Sequence, residues 1–102
     1  MTPEKHVQNA IIAYLKKLEN QGYPLMHERR QAGGFSYKKG QADLYAVYNG
    51  LHIEIEVKAV GGHQSTMQEK WEAKCKSLGI PYLCVDNVQD VIKYFDQIIS
   101  LS

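Results

Sequence analysis

Residues 44–58 read LYAVYNGLHIEIEVK, and this stretch decides the fold. Two runs rich in β-branched and aromatic residues flank Asn49-Gly50, and both of these residues tolerate the positive φ angles of a type I′ turn. The pattern predicts a β-hairpin with strands over 44–48 and 51–58. Because side chains alternate along a strand, Glu54, Glu56 and Lys58 form a charged row opposite the apolar face.

Before the hairpin, the sequence predicts one helix and one short strand. Thr2-Pro3 is a typical helix start, and apolar residues then recur at spacings of three and four as far as Leu18. Residues 24–28 are a short strand candidate. Residues 29–40 are predicted to form a loop because they are polar and rich in glycine.

After the hairpin, the sequence predicts a helix, a strand and a second helix. Ser65 and Gln68 form a capping box at the start of a helix. Its apolar side carries Met67, Trp71, Cys75 and Leu78. Residues 81–85 are a short apolar strand, and a final helix follows Asn87. The order α-β-β-β-α-β-α predicts an α/β fold with a mixed central sheet flanked by helices.

Length and composition limit the classes of protein to which this sequence can belong. A chain of 102 residues fits a single domain over 1–102, and its net charge of +1 is not the strongly basic balance of many nucleic-acid-binding proteins. No segment resembles a signal peptide or a membrane span, so we expect no membrane association. Cys75 and Cys84 lack the spacing of a zinc cluster, which favours an intracellular protein with reduced thiols.

The hairpin register brings three charged residues together. Counting outward from the turn places Asp43 opposite Glu56, with Lys58 beyond it on the same face. Two carboxylates at the end of a sheet favour Mg²⁺ or Mn²⁺, which polarise phosphoryl oxygens. Lys58 adds a positive charge that would orient or deprotonate water and offset transition-state charge. This combination is sufficient for phosphodiester hydrolysis.

Further residues are candidates for supporting roles. Glu4 lies on the predicted buried stripe of the first helix, near its beginning, and would point toward the acidic cluster. Gln68 begins the second helix shortly after Lys58. In the predicted loop, four basic residues stand without an acid and with two aromatic residues among them, a composition that favours binding of a nucleic-acid backbone. They are Arg29, Arg30, Lys38 and Lys39.

Simpler interpretations exist for each feature. Alternating Glu and Lys residues on a strand most often form a solvated face. Glu4 would also stabilise the dipole of its helix, Gln68 is explained by capping, and Trp71 by core packing. The extra carboxylate of Asp43 at the matching hairpin position favours the catalytic interpretation.

Three motifs in order resemble a known family. They are Gly40-Gln-Ala-Asp43, Ile55-Glu56-Val57-Lys58 and Gln68-Glu-Lys-Trp71. Together they resemble the PD-(D/E)xK nucleases and, within them, the stand-alone virus-type replication-repair nuclease (VRR-NUC) domains of phages and bacteria. One departure is Ala42, where the family often has a proline before the aspartate.

The resemblance implies a function and a set of metal ligands. Asp43 and Glu56 would bind Mg²⁺ or Mn²⁺ directly, with the Val57 backbone carbonyl as a further ligand and Glu4 acting through water. Lys58 would assist the nucleophile. Gln68 would support the site or the substrate.

The resemblance also implies a DNA endonuclease that acts as a homodimer on branched DNA such as four-way (Holliday) junctions. Two alternatives stay open: a duplex-nicking nuclease of the same fold, and a non-catalytic DNA-binding module.

Overall fold

The computed structural model of the protein describes residues 2–30 and 40–101. Within those residues the helices and strands follow the predicted order α-β-β-β-α-β-α. They are α1 (Pro3–Asn20), β1 (Leu25–Arg29), β2 (Leu44–Tyr48), β3 (Leu51–Val57), α2 (Thr66–Ser77), β4 (Tyr82–Val85) and α3 (Val88–Ser100). The α/β prediction is confirmed.

The four strands form one mixed sheet in the order β1-β2-β3-β4. The first three strands are antiparallel, and β4 runs parallel to β3 after the crossover through α2. Asn49 and Gly50 adopt φ angles of 49° and 86°, as a type I′ turn requires. This turn fixes the register in which Leu44 faces Ile55, so the next pair outward is Asp43 and Glu56.

Predicted side-chain caps begin all three helices. Thr2 Oγ1 accepts from the Lys5 N–H, and Asn87 Oδ1 accepts from the Asp90 N–H. At α2, Ser65 and Gln68 form both bonds of the capping box. These bonds satisfy backbone donors that have no partner within the helix, which explains where the helices start.

The main hydrophobic core lies between one face of the sheet and helices α1 and α3. Phe95 of α3 is fully buried and makes edge contacts with Tyr14 and Tyr48. The apolar face of β3 packs there, with Ile53, Ile55 and Val57 at most 1% exposed. The core therefore holds β3 rigidly from one side, while its charged row faces α2.

Burial corrects two expectations from the sequence. Glu54 and Glu56 are buried, so the interpretation of their strand face as solvated is wrong. On α2, Cys75 is buried, but Met67 and Leu78 at the ends of the predicted apolar side are exposed. The reason is that α2 packs against the sheet mainly at β4, so only the middle of that side is covered.

Among residues 2–30 and 40–101, no helix combines the length and the apolar character needed to cross a membrane.

Candidate active site

Asp43 and Glu56 lie side by side at the end of the hairpin strands. Asp43 immediately precedes β2, and its Oδ2 accepts a hydrogen bond of 2.8 Å from the Val57 N–H. Glu56 is the penultimate residue of β3 and is 0% exposed. The predicted juxtaposition of these two carboxylates therefore has a direct structural basis in the register and in the bond to Val57.

The buried Glu56 carboxylate is held by side chains from two other elements. The Tyr82 hydroxyl donates to Oε1 at 2.7 Å, and Gln64 Nε2 donates to Oε2 at 3.1 Å. Cys84 Sγ lies 3.7 Å from Oε2. Since β4 runs parallel to β3 with Cys84 beside Glu56, the sheet itself aims two of these donors. A buried carboxylate with such partners keeps one orientation.

Lys58 connects the carboxylates to α2. Its Nζ lies 3.6 Å from Glu56 Oε2 and donates to Gln68 Oε1 at 2.6 Å. The same Gln68 oxygen accepts from the Ser65 N–H at 2.8 Å, so Gln68 caps its helix and holds Lys58 at once. Only 16% of the Lys58 side chain is exposed. A cation with one defined position thus stands beside the acidic pair.

The surroundings of Asp43 disfavour its charged form. Burial raises the pKa of Asp43, the bond from Val57 opposes this change, and the nearby charges of Glu56 and Glu4 raise the pKa further. Glu4 is near enough to act on Asp43, but its side chain is exposed rather than on the buried stripe. The buried position one turn later is Gln8. A cation placed between these carboxylates would relieve their repulsion.

A second buried carboxylate, Glu54, lies on the same strand face. Its Oε1 and Oε2 accept from Arg30 at 2.6 and 2.8 Å, and Trp71 Nε1 donates to Oε1 at 3.0 Å. His52 Nε2 donates to Oε2. Burial alone would raise the pKa of Glu54, but the bonds from Arg30, His52 and Trp71 outweigh it and keep the pKa below its usual value.

The four predicted DNA-binding residues have different placements. Arg29 Nη2 donates to Asn9 Oδ1 at 2.7 Å across to α1, and Arg30 forms the ion pair with Glu54. Lys38 and Lys39 lie outside the described residues. The charge of Arg30 is therefore neutralised within the protein by Glu54, and the Arg29 side chain is hydrogen-bonded to helix α1.

Gly40 brings the segment before Asp43 against the start of α2. Its φ is +94°, and a Cβ atom there would lie 2.8 Å from the Met67 carbonyl oxygen. Only glycine adopts this φ freely while permitting that approach.

A cleft of about 300 Å³ opens beside Lys58, and Gly61, Gly62 and Asp86 are among the other residues that line it. Of the three charged residues Asp43, Glu56 and Lys58, it is Lys58 that lines this cleft.

The donor set fits a hard divalent cation in chemical type. Asp43 and Glu56 offer carboxylate oxygens, and the backbone carbonyl of Val57, the residue after Glu56, would be a further oxygen ligand. Among residues 2–30 and 40–101, no three Asp, Glu, His or Cys side chains converge closely enough to form a metal-binding group by themselves. Two acidic side chains together with backbone and solvent oxygens match the way Mg²⁺ is usually held.

Comparison with known proteins adds an independent view of the fold. In sequence, no family model and no curated protein matches the chain. In structure, a solved VRR-NUC domain aligns with a TM-score of 0.75 at 18% identity, covering 94% of this chain and 97% of that chain. The chain has the fold of a VRR-NUC domain. At this identity, the VRR-NUC fold is shared while most side chains differ, so the site must be judged on its own geometry.

Several residues that build this site were not identified from the sequence. Alternation along 81–85 already puts Tyr82 and Cys84 on one face, so pairing that strand beside β3 would have found both. The Arg30–Glu54 pair spans 24 residues, and no local pattern indicates it. Gln64 likewise lies in a loop without a recognisable motif.

Proposed function

We propose that the protein is a Mg²⁺- or Mn²⁺-dependent DNA endonuclease. The observation that carries the proposal is the convergence of Asp43, Glu56 and Lys58 at one end of the sheet, with Glu56 fully buried. Burying a carboxylate beside a second one costs stability, and such costly arrangements are found most often at functional sites. The VRR-NUC fold supports the same conclusion, because a protein of that description is a nuclease domain.

Each residue has a role that its position supports. Asp43 and Glu56 would hold the cation together with the Val57 carbonyl, and Glu4 would contribute charge from α1 through water. Lys58 would orient the attacking water or take its proton, and Gln68 keeps the Lys58 ammonium in place. A bound Mg²⁺ or Mn²⁺ would supply polarisation of a phosphoryl oxygen of the DNA backbone.

We further propose branched DNA as the substrate, with four-way junctions as the first candidate, and a homodimer as the active form. A two-fold dimer presents two equal sites, which suits paired cuts on a symmetric branched substrate. Arg29, Lys38 and Lys39 would supply positive charge toward the DNA backbone.

One observation favours a non-catalytic DNA-binding module instead. Both oxygens of Glu56 already accept hydrogen bonds, from Tyr82 and Gln64, so a cation must share or displace these donors. If that exchange is too costly, the protein would bind DNA without cutting it.

A cleavage panel separates these functions. Junction, flap, single-stranded and linear duplex DNA of matched sequence would be incubated with the protein in Mg²⁺, Mn²⁺ or EDTA. We expect metal-dependent cutting of the junction that Glu56→Ala and Lys58→Ala abolish. Equal cutting of the linear duplex would indicate a duplex-nicking enzyme. Binding without any cleavage in Mn²⁺ would refute the catalytic proposal.

The dimer is tested separately. Sedimentation of the free protein and of its junction complex would show two chains per complex if the proposal is correct. A single chain per cleaved junction would contradict it.

A further inference from the structure

Arg30 grips the segment that leads into Asp43. Its Nη1 donates to the Ala42 carbonyl at 3.1 Å, and its backbone N–H donates to the Asp43 carbonyl at 2.8 Å. Ala42 is 1% exposed, so this is an interior contact. One residue therefore restrains both peptide groups that flank the Cα atom of Asp43.

Glu54 in turn fixes the Arg30 guanidinium. The two residues form a bidentate pair at 2.6 and 2.8 Å, and Glu54 is 1% exposed. The guanidinium also lies over the rings of Tyr45 and Trp71, with centroids at 5.0 and 6.0 Å. A guanidinium that is hydrogen-bonded along its edge and stacked on its face has little rotational freedom. The contact to Ala42 is therefore aimed by β3, the strand that also carries Glu56.

We propose that Arg30 and Glu54 are positioning residues that hold Asp43 opposite Glu56. This inference rests on the proposed function, in which Asp43 binds the cation. A proline at position 42 would restrain the backbone before Asp43 through its ring. With Ala42 at this position, the hydrogen bonds from Arg30 would provide that restraint. A structural role for Arg30 agrees with its environment, because its side chain is only 17% exposed and its charge is neutralised by Glu54.

The geometry requires arginine specifically. Lysine keeps the positive charge, but its single ammonium does not reproduce a fork that bonds both Glu54 oxygens and the Ala42 carbonyl. Positioning and simple charge then predict opposite results for Arg30→Met. Arg30→Met leaves the Glu54 carboxylate without its counter-charge, which would strengthen metal binding if charge were the only effect, whereas loss of positioning would weaken it.

The first test needs neither metal nor DNA. The Val57 amide donates to Asp43 Oδ2, while the neighbouring Lys58 amide donates to the Val85 carbonyl at 2.8 Å. Hydrogen exchange of these two amides would be compared in wild type, Arg30→Met, Arg30→Lys and Glu54→Gln. We expect Val57 to exchange faster relative to Lys58 by about tenfold in Arg30→Met, the equivalent of one lost hydrogen bond to a charged group.

A matched control separates local positioning from general loss of stability. His27→Leu removes another partly buried polar contact, in which His27 Nδ1 lies 2.6 Å from Glu19 Oε1, on the α1 side of the sheet. It should destabilise the protein without changing the ratio of the two exchange rates. Should Arg30→Met not fold, Arg30→Lys and Glu54→Gln carry the test.

The second test is Mn²⁺ binding by calorimetry without DNA. We expect Arg30→Met and Arg30→Lys to weaken Mn²⁺ binding by about tenfold, again the effect of about one hydrogen bond, and His27→Leu to leave it unchanged. An unchanged Val57 to Lys58 ratio in every folded variant of Arg30 and Glu54, or tighter Mn²⁺ binding by Arg30→Met, would overturn the inference. If wild type binds no Mn²⁺, the proposed function fails, and the exchange ratio alone still decides whether Arg30 positions Asp43.

Discussion

Replacing Asp43 by asparagine should stabilise the protein in the absence of metal. Opposed residues on antiparallel strands place their Cβ atoms about 5 Å apart, which puts the two carboxylates at about 6 Å. With an effective dielectric constant of about 20–40, two negative charges at that distance repel by about 1.4–2.8 kcal/mol. Asparagine removes this repulsion and keeps an oxygen for the Val57 N–H.

Part of the stability that Asp43→Asn gains is offset by a weaker hydrogen bond. A neutral acceptor bonds the Val57 N–H less strongly than a carboxylate does, by about 1 kcal/mol. The net gain is about 1 kcal/mol, or a rise in Tm of about 5 °C for a domain of this size. Thermal unfolding by circular dichroism in EDTA near neutral pH measures it directly.

The pH dependence of this difference follows from the raised pKa of Asp43. In the folded protein Asp43 holds its proton more tightly than in the unfolded chain, so wild type regains stability as the pH falls through that pKa. The advantage of Asp43→Asn should therefore be present near neutral pH and close in acid. Glu54 acts in the opposite direction in both proteins, because its lowered pKa means that its contribution is lost in acid, and it cancels in the comparison.

In the presence of Mn²⁺, wild type should become more stable than Asp43→Asn. With about 10 mM Mn²⁺ and a dissociation constant of about 1 mM, binding to the folded state would stabilise wild type by about 1.4 kcal/mol. Asp43→Asn should gain little. A variant that melts below wild type in EDTA would refute the predicted charge repulsion, and equal stabilisation of both proteins by Mn²⁺ would refute the predicted binding by Asp43.

Three further substitutions, one of them with a matched control, test other parts of the site. Lys58→Met should lower the cleavage rate by at least about a hundredfold, the usual contribution of an acid–base group, without weakening Mn²⁺ binding, and calorimetry beside a cleavage assay checks both. Gly40→Ala combines a φ of +94° with a Cβ 2.8 Å from Met67 O, so urea unfolding should show a loss of about 3 kcal/mol; Gly61→Ala, with a φ of +78° and no neighbour within 4 Å, should lose about 1 kcal/mol. Equal losses would contradict the close approach at Gly40. Tyr82→Phe removes a donor from the buried Glu56 and should destabilise the metal-free protein by about 1–3 kcal/mol; a variant as stable as wild type would show that this bond contributes nothing.

The hairpin was predictable because its information is local. Asn49-Gly50 specifies the turn, the turn specifies the register, and the register places Asp43 opposite Glu56. Helix starts were predictable for the same reason, since Ser65 and Asn87 each accept from a backbone N–H three residues away. The approximate position of the candidate site follows from these local rules alone.

What the sequence did not predict depends on how elements dock. The burial of Glu54 and Glu56 is decided by α2 and β4, which cover a strand face that would otherwise be solvated. Met67 and Leu78 carry an apolar pattern that α2, lying at the sheet edge, leaves exposed. Contacts between distant segments, such as that of Arg30 with Glu54, arise only once the sheet is assembled.

The proposed nuclease activity requires Asp43 and Glu56 to share one divalent cation. Crystals soaked in Mn²⁺ and measured for anomalous scattering test this most directly. We expect a single strong peak at ligand distance, about 2.1 Å, from an oxygen of each carboxylate. A peak bound to only one of them, or no peak at this end of the sheet at saturating Mn²⁺, would contradict the account.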